Sequence, residues 1–423
     1  MRKGWLALLV IGINNRHTWH CQPAIRKENM DKAKLCNIIR SKYPKIFGIR
    51  KILQRIKVKR LRNHFMAERD VLEGEQNPER EKEIIAPYLI RWKKNLKPIV
   101  REMEDIFQNA PAYKDRVDKD NLRTDMLFCR LAYGFLPSEY IGFELEGKKP
   151  AERKKFFSDL DTLVFGYTVN DIAQLQSIVD KGQSFEQFSS YFGRDAIVIE
   201  REKDFGKFQE FVKKYPIFVQ KRTNSSMGKN IELVDIRIVK ETEYEYFKKL
   251  ISVQKHLLEE RVVQHESMAR FNPSSVNTIR CITFHTENGV EIPFCFMRTG
   301  RNGAFVDNGG SGGLLIGIDV ATGVLNTDGF SEYNERFPIH PDTGIPFIGS
   351  KIPAWEDLIA FCKAAATKHK EVRYLSWDLA YTDNGWIVIE VNGIGQFIGP
   401  QVVTKCGIRA SIQEYLSRMN KSI

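Results

Sequence analysis

The sequence lacks an apolar run long enough to cross a membrane as a helix, which requires about 20 residues. The nearest approach is MRKGWLALLVIGI at residues 1–13, which begins with basic residues but is too short to span a bilayer. No small-residue cleavage site follows it. We expect these residues to be a start-site artefact or an N-terminal packing element, and a secretory signal is the alternative.

Cysteine motifs are also missing. The seven cysteines include no Cys-x-x-Cys pair, so the sequence indicates neither a zinc site nor a disulfide framework. Cys281 and Cys295 lie in apolar, strand-like runs, where a buried thiol is the simplest interpretation. These features predict a reducing compartment, and we expect a cytoplasmic protein.

Acidic residues are almost absent from residues 38–69, which concentrate much of the net charge of +12. A basic stretch of this kind suits an anionic partner such as a membrane surface or a phosphorylated glycan carrier. The membrane surface would be the inner membrane face. The commoner interpretation is a solvated helical face. No RNA- or DNA-binding signature accompanies the stretch, so we expect no nucleic-acid partner.

The composition is that of a packed protein with more than one lobe. Of the 423 residues, 42% are hydrophobic and 11% aromatic, and single cores stop growing at roughly 250 to 300 residues. We expect a basic, mainly helical region at residues 1–115, broken at Pro78 and Pro87, and a helical linker at 116–195. From residue 196 to 423, short β-branched runs predict an α+β domain with a largely antiparallel sheet, interrupted by helices at 241–257 and 355–369.

The segment WDLAYTDNGWIVIEVN at residues 377–392 has the pattern of a β-hairpin with an Asp-Asn-Gly turn. Glu390 and Asn392 are two residues apart and so share a face, and Asp378 lies opposite across the turn. Carboxylate and amide oxygens are ligands that Mg²⁺ accepts together with water and substrate phosphates. The hairpin therefore predicts a nucleotide-metal site; an ordinary hairpin with solvated acids is the alternative.

Residues 217–233, IFVQKRTNSSMGKNIEL, read as a strand ending in Lys221, a small polar loop and a second strand. The loop backbone at Ser225, Ser226 and Gly228 is able to donate N–H groups to phosphate oxygens, and Lys221 supplies a fixed positive charge. An ordinary hairpin tip uses the same residue types.

Two further segments carry candidate ligand contacts. In LLEERVVQHE, a predicted helix end followed by an extended segment, Glu259, Glu260 or Glu266 is placed to reach an adenine amino group or ribose hydroxyls; solvated acids are the alternative. In SSVNTIRCITF, Asn277 and Arg280 begin a strand, and Arg280 alternates with apolar neighbours, so it faces away from the core.

The segment FVDNGGSGGLLIGID at residues 305–319 has four glycines within 309–313, next to Asn308. Such glycines indicate close approach of the backbone to a ligand or a lid hinge. Downstream, His340 and Asp342 in HPDTG favour a turn with an Asx-type hydrogen bond over a metal or substrate contact.

The order of these motifs resembles the ATP-grasp superfamily over about half the chain. Five segments are similar to those of the sugar-transfer associated ATP-grasp proteins of bacterial polysaccharide gene clusters, namely NPSSVNTIR, VDNGGSGG, HPDTG, WDLAYTDNG and IEVNG. The resemblance implies an ATP-grasp fold with antiparallel sheets that sandwich ATP, a small ATP lobe at residues 196–260 and a large lobe at 261–423.

The resemblance also implies roles for particular residues. The implied roles are Lys221 on ATP phosphates, Ser226, Gly228 and Lys229 in a flexible phosphate-covering loop, Glu259 and Glu260 at an adenine hinge, Asn277 in the nucleotide site, Arg280 on the transferred phosphoryl group, Asn308, Gly312 and Gly313 facing the acceptor, and Asp378, Glu390 and Asn392 holding two Mg²⁺ ions, or Mn²⁺ as an alternative. Many relatives have an earlier ATP-binding lysine, for which IVIEREKDF offers Arg201 or Lys203. The proline that commonly follows the strand lysine is absent after Lys221.

The expected activity is that of an ATP- and Mg²⁺-dependent carboxylate–amine ligase, which forms an acyl phosphate and releases ADP and phosphate. The resemblance implies a sugar acid or glycan precursor of surface polysaccharide biosynthesis as the acceptor. One alternative is a kinase of a sugar or lipid-linked sugar hydroxyl. A second alternative is a non-catalytic nucleotide-binding partner of a glycosyltransferase complex, recruited through the basic helical region.

Overall fold

The computed structural model describes residues 44–62, 65–223, 231–395 and 397–421. The chain divides after Leu53 into two units, and the contacts below all belong to the second, Gln54–Ile423. The predictions for residues 1–13, and for the loop residues Ser225, Ser226, Gly228 and Lys229, lie outside the described residues. Among the helices of the described ranges, none is long and apolar enough to cross a membrane.

The N-terminal part is mainly helical, as predicted, and the change to strands comes at Ala196. The helices are α1 (Pro44–Arg62), α2 (Glu68–Gln76), α3 (Glu81–Arg91), α4 (Lys93–Asn109), α5 (Pro111–Lys114), α6 (Lys119–Tyr133), α7 (Pro137–Gly142), α8 (Pro150–Arg153), α9 (Asp159–Val169), α10 (Ile172–Val179), α11 (Lys181–Phe192), α12 (Phe205–Lys214), α13 (Glu243–Val253), α14 (Glu266–Ala269), α15 (Trp355–Ala366), α16 (Ile398–Thr404) and α17 (Arg409–Arg418).

One predicted helix break is wrong. Pro78 does begin a 3-10 turn between α2 and α3, but Pro87 lies inside α3. Proline removes the backbone hydrogen bond to the carbonyl four residues earlier, here that of Glu83. Both Pro87 and Glu83 are exposed, so water can satisfy that carbonyl and the helix continues past the proline.

The strands form two antiparallel sheets, which confirms the α+β class. They are β1 (Ala196–Ile199), β2 (Ile217–Arg222), β3 (Ile231–Asp235), β4 (His256–Glu260), β5 (Thr278–Thr286), β6 (Gly289–Thr299), β7 (Leu314–Asp319), β8 (Val324–Phe330), β9 (Arg336–Phe337), β10 (Tyr374–Thr382) and β11 (Gly385–Asn392). The small sheet has the order β1-β4-β2-β3, and the large sheet has the order β11-β10-β5-β6-β7-β8-β9.

The segment predicted as a helix end at residue 257 is instead the strand β4, which carries Glu259 and Glu260. This strand lies between β1 and β2, and its residues from His256 to Glu259 are all buried. A strand covered on both faces shows no alternation of polar and apolar residues, so periodicity does not reveal it.

Each sheet has its own apolar core. Phe208 of α12 and Phe247 of α13 pack on the small sheet with Phe218 of β2. In the large sheet, Cys281 and Cys295 are buried and directly opposite each other on β5 and β6, as expected for core thiols. The two sheets present Lys221 and Arg280, respectively, to one cavity.

The helices α2 to α7 form a further core that continues into the C-terminal half. Phe330 of β8 and Val402 of α16 belong to the same buried cluster as the apolar side chains of these helices. Gly142 ends α7 so close to α16 that an added Cβ would lie 2.8 Å from Cγ2 of Val402. This packing brings α7 to the edge of the cavity described next.

Candidate functional site

A cavity of about 630 Å³ is lined by residues from both sheets and from α7, α11 and α16. It brings together most of the residues selected from sequence. The predicted site residues that line it are Lys221, Glu259, Glu260, Arg280, Asn308, Asp378, Glu390 and Asn392.

The β10–β11 hairpin places its polar residues as predicted. Asp378 lies directly opposite Glu390, and Asn392 lies opposite Ser376. On the other side of β10, Asp378 is opposite Arg280 of β5. Ile279 and Cys281 are fully buried, so Arg280 faces away from the core into the cavity, as the alternation predicts.

Asp378 is buried and held by two arginines. It accepts hydrogen bonds from Nε and Nη2 of Arg280, the second at 2.7 Å, and from Nη1 of Arg298 at 3.3 Å. Burial opposes ionisation of this carboxyl, but Arg280 and Arg298 outweigh it and hold its pKa below the ordinary value. Asp378 is therefore an anion whose charge two cations share.

Glu390 makes an ion pair with Lys181, the first residue of α11. The Glu390 side chain is 34% exposed toward the cavity and that of Lys181 is 14% exposed. The helix cap explains this position, because the Asp180 side chain accepts a hydrogen bond from the backbone N–H of Gln183 at 2.9 Å. A lysine therefore stands at the helix end where the backbone dipole disfavours a cation.

The sequence interpretation did not include Lys181. The sequence offered two candidates for an early ATP-binding lysine, Arg201 and Lys203. Both are exposed, and neither lines the cavity. The signal in the sequence was a basic residue directly after the N-cap aspartate Asp180, a placement that helix stability alone does not favour.

Glu259 is held between two cations. Its oxygens lie 2.5 Å from Nζ of Lys221 and 2.9 Å from Nη2 of Arg194. Burial opposes its ionisation, but the charges of Arg194 and Lys221 outweigh it and lower the pKa of the carboxyl. Glu259 therefore balances charge within the site, whereas half-buried Glu260 lines the cavity and accepts a hydrogen bond from the backbone of Asp195 at 3.1 Å.

Asn277 does not line the cavity. Its amide nitrogen donates to Gln264 Oε1, Met268 O and Asn272 O at 2.9 to 3.0 Å, and its oxygen accepts from the Thr299 hydroxyl at 2.6 Å. These bonds use the side chain to brace the start of β5. We therefore assign Asn277 a structural role and not the nucleotide contact that the resemblance implied.

The glycine segment divides into two parts. Gly309 and Gly310 line the cavity beside Asn308, in a short 3-10 turn, whereas Gly312 and Gly313 do not. Gly312 has a φ of +86°, and a Cβ on Gly313 would lie 2.3 Å from the carbonyl oxygen of Asp307. The second pair thus serves a tight backbone turn.

The HPDTG segment is a turn, as favoured from sequence, but its local side-chain hydrogen bond is made by the His340 ring and not by an Asx side chain. His340 is fully buried, and its Nε2 lies 2.8 Å from the carbonyl oxygen of Gly300. Its Nδ1 accepts a hydrogen bond from the backbone N–H of Asp342 at 3.2 Å. Asp342 Oδ2 in turn accepts from the backbone of Asn302 at 2.6 Å.

The donor set on the hairpin fits a hard divalent cation. The described residues contain no group of three or more His, Cys, Asp and Glu that could hold a metal ion. Asp378, Glu390 and Asn392 instead offer two carboxylates and an amide at paired positions of one hairpin. Mg²⁺ needs only one or two protein carboxylates when water and phosphate oxygens complete its shell.

Comparison with known proteins agrees with this geometry. A family model described as sugar-transfer associated ATP-grasp matches residues 168–416, more than half of the chain. No match was found among curated proteins.

Solved structures similar to this chain include three ligases. The D-alanine–D-alanine ligase from Coxiella burnetii has 10% identity and a TM-score of 0.34, with 57% of this chain and 56% of that chain covered. Phosphoribosylamine–glycine ligase from Thermotoga maritima has 11% identity and a TM-score of 0.38, with 60% and 57% covered. The ATP-grasp ligase PsnB complexed with its minimal precursor has 12% identity and a TM-score of 0.37, with 74% and 77% covered. The chain spans just over half the length of the first two. On the match of the family model, the chain belongs to the sugar-transfer associated ATP-grasp family.

Proposed function

We propose that the protein is an ATP- and Mg²⁺-dependent carboxylate–amine ligase that acts through an acyl phosphate. The observation that carries the proposal is the convergence of Lys181, Lys221 and Arg280 with the hairpin carboxylates on one cavity. Membership of an ATP-grasp family supports ATP binding and ligase-type chemistry. The sugar-acid or glycan acceptor is supported only by the family description.

The cations of the site suit a polyphosphate. Lys221 and Lys181 come from different elements, β2 and α11, and each is held by a carboxylate, Glu259 and Glu390 respectively. Phosphate oxygens can take over the ammonium hydrogen bonds that these carboxylates now accept. Bound Mg²⁺ would neutralise charge on the phosphates and help to orient them.

Arg280 is proposed to stabilise the phosphoryl group in transfer. Arg280 lines the cavity, and its guanidinium now donates to Asp378 through two N–H groups. A planar guanidinium can donate to two oxygens of a phosphoryl group in the same way. For Arg280 to donate to a phosphoryl group, another cation must compensate the negative charge of Asp378. A metal ion bound by Asp378 would do so.

The acceptor is proposed to occupy the part of the cavity that Asn308 and the neighbouring glycines line, which we call the acceptor end. Asn308, Gly309 and Gly310 line the cavity together with the apolar side chains of Phe296 and Leu315. Helices α7 and α16 complete its wall. Apolar walls reduce the access of water, which a labile acyl phosphate requires.

The test uses hydroxylamine as a trapping nucleophile. The protein is incubated with ATP, Mg²⁺ and a panel of uronic acids, first with hydroxylamine and then with amino acids, while ADP, AMP and hydroxamate are measured. A ligase of this type releases ADP and forms hydroxamate with its acid. Release of ADP with neutral sugars and no hydroxamate would favour the kinase, and release of AMP with pyrophosphate would contradict both.

The variant Glu390→Gln keeps the shape of the side chain and removes one carboxylate charge. We expect it to lower turnover at least about 100-fold, because metal neutralisation contributes several kcal/mol to phosphoryl transfer. Asp383→Asn, in the exposed turn of the same hairpin, is the matched control and should retain wild-type turnover. Normal turnover by Glu390→Gln would remove the metal assignment.

A further inference from the structure

One buried arginine joins the proposed metal carboxylate to the segment at the acceptor end. Arg298 of β6 donates from Nη1 to Oδ2 of Asp378 at 3.3 Å and from Nη2 to Oδ1 of Asp307 at 2.6 Å. The Arg298 side chain is 14% exposed, and its Nε is buried without a hydrogen-bond partner among the described residues. Two carboxylates therefore determine the position of this guanidinium.

Asp307 anchors residues 305–313, which we call the acceptor loop. Its second oxygen accepts hydrogen bonds from both the backbone N–H, at 3.1 Å, and the hydroxyl of Thr278 on β5. The side chain of Asp307 is 8% exposed. The next residues, Asn308 and Gly309, line the cavity. The hydrogen bonds from Thr278 and Arg298 to Asp307 thus position the part of the loop that faces the acceptor.

Arg298 shares its single positive charge between two hydrogen-bonded carboxylates, those of Asp378 and Asp307. The bond to Asp378 is the longer of the two, and Asp378 also accepts two hydrogen bonds from Arg280. A divalent cation on Asp378 would draw negative charge away from its bond with Arg298, because charge-assisted hydrogen bonds weaken as the acceptor is neutralised. The guanidinium would then interact more strongly with Asp307.

We propose that Arg298 is a positioning residue that couples occupancy of the metal–nucleotide site to the order of the acceptor loop. The inference rests on the metal and nucleotide site proposed above, and it adds a regulation of that site. With metal and nucleotide bound, Arg298 holds Asp307 more firmly and the loop is ordered for the acceptor. Without metal, the charge of Arg298 is divided and the loop opens more often.

Hydrogen exchange measured by mass spectrometry on peptides covering residues 305–313 tests the coupling. The full-length protein is compared alone, with ADP and EDTA, and with saturating ADP and Mg²⁺, while calorimetry records ADP binding. We expect exchange in the loop to slow about threefold or more with ADP and Mg²⁺, and to remain unchanged with ADP and EDTA, since a charged hydrogen bond contributes to local stability.

Two variants interrupt the bridge at different points. Asp307→Asn removes the carboxylate charge but keeps an oxygen for the backbone N–H of Thr278. Arg298→Lys keeps the charge but loses the planar fork that reaches both carboxylates. Arg301→Lys is the matched control, because Arg301 donates to the Gly312 carbonyl of the same loop at 2.6 Å and has no hydrogen bond or ion pair with Asp378 among the described residues.

Metal-dependent slowing in the wild type and in Arg301→Lys, with its loss in Asp307→Asn, would support the coupling. If Arg298→Lys does not fold, Asp307→Asn alone decides. A wild-type response in Asp307→Asn, or an unchanged loop in a wild-type protein that binds ADP and Mg²⁺, would overturn the inference and leave the nucleotide site intact. Absence of Mg²⁺-dependent ADP binding to the wild type would overturn the proposed function itself.

Discussion

Replacing Glu259 by glutamine should lower the stability of the free protein without weakening ADP binding. The carboxylate is 3% exposed and lies 2.5 Å from Nζ of Lys221 and 2.9 Å from Nη2 of Arg194. Its removal leaves two buried cations without their shared counter-charge, and breaking a buried pair costs about 3 to 5 kcal/mol. The glutamine oxygen still accepts one hydrogen bond, and Arg194 keeps backbone acceptors such as Val388 O at 2.6 Å. We therefore expect a loss of about 3 kcal/mol.

Urea unfolding measures the loss of stability, and calorimetry with ADP and Mg²⁺ measures the affinity. Because Lys221 no longer shares its charge with a carboxylate, its ammonium remains available to phosphate and ADP binding should be at least as strong. Glu260→Gln is the control: Glu260 is only half-buried, so its replacement should change stability by less than about 1 kcal/mol. Unchanged stability with weaker ADP binding in Glu259→Gln would refute the charge-balancing role and favour a direct nucleotide contact.

The same variant has a predicted pH dependence. The folded-state pKa of Glu259 lies below the ordinary value of 4.5, so its contribution to stability is complete above that value. The contribution is lost as the pH falls through the folded-state pKa. The free-energy difference between wild type and Glu259→Gln should therefore be full at neutral pH and shrink below pH 4.5. A difference that grows on acidification would contradict the lowered pKa.

Three further predictions follow from the cavity and its loop. Arg280→Lys should lower turnover about 10-fold or more while ADP binding persists, because an ammonium cannot donate to two phosphoryl oxygens in a fixed plane; normal kinetics would show that Arg280 only holds Asp378. Lys181→Met should weaken ADP affinity in calorimetry, and exposed Lys203→Met should not; equal affinities would remove Lys181 from the site. Gly313→Ala should lower the free energy of unfolding in urea by about 1 to 3 kcal/mol, since its Cβ would meet the Asp307 carbonyl oxygen at 2.3 Å, whereas the Cβ of Gly309→Ala would have no atom within 4 Å and should preserve stability; equal unfolding free energies would contradict the tight turn.

Local rules of the chain were sufficient for the two strands and the turn of the hairpin that carries the metal candidates. The alternation of side chains and the Asp-Asn-Gly turn predict Asp378 opposite Glu390, and the observed pairing agrees. A shift of register between Asp378 and Leu379 produces this pairing, because the turn pairs Thr382 with Gly385 and an unshifted register would place Asp378 opposite Ile389. The same rule oriented Arg280 away from the core. The face on which a side chain lies depends on neighbours within one strand, so the sequence contains that information directly, whereas the pattern did not predict the register shift.

The role of Asn277 and the effect of Pro87 could be determined only from the residues and solvent around them in the tertiary structure. Asn277 has the same residue type as a ligand contact, but four hydrogen bonds to other segments use its amide. Pro87 follows the rule for a helix break, but α3 continues past it on a side where both Pro87 and Glu83 are exposed to solvent. In both cases solvent access and distant partners decided the outcome, and neither can be read from local pattern.

The sequence by itself determined the fold class, the hairpin and the residue types of the site. Only the tertiary structure decided which charges meet: Lys181 with Glu390, Arg194 with Glu259, and Arg298 with both Asp307 and Asp378. Lys181 and Glu390 are 209 residues apart, Lys181 at the start of α11 and Glu390 on β11, the last strand. Periodicity specifies the face on which a side chain lies, but the partner across a cavity depends on how separate elements pack, and electrostatic pairing acts through space.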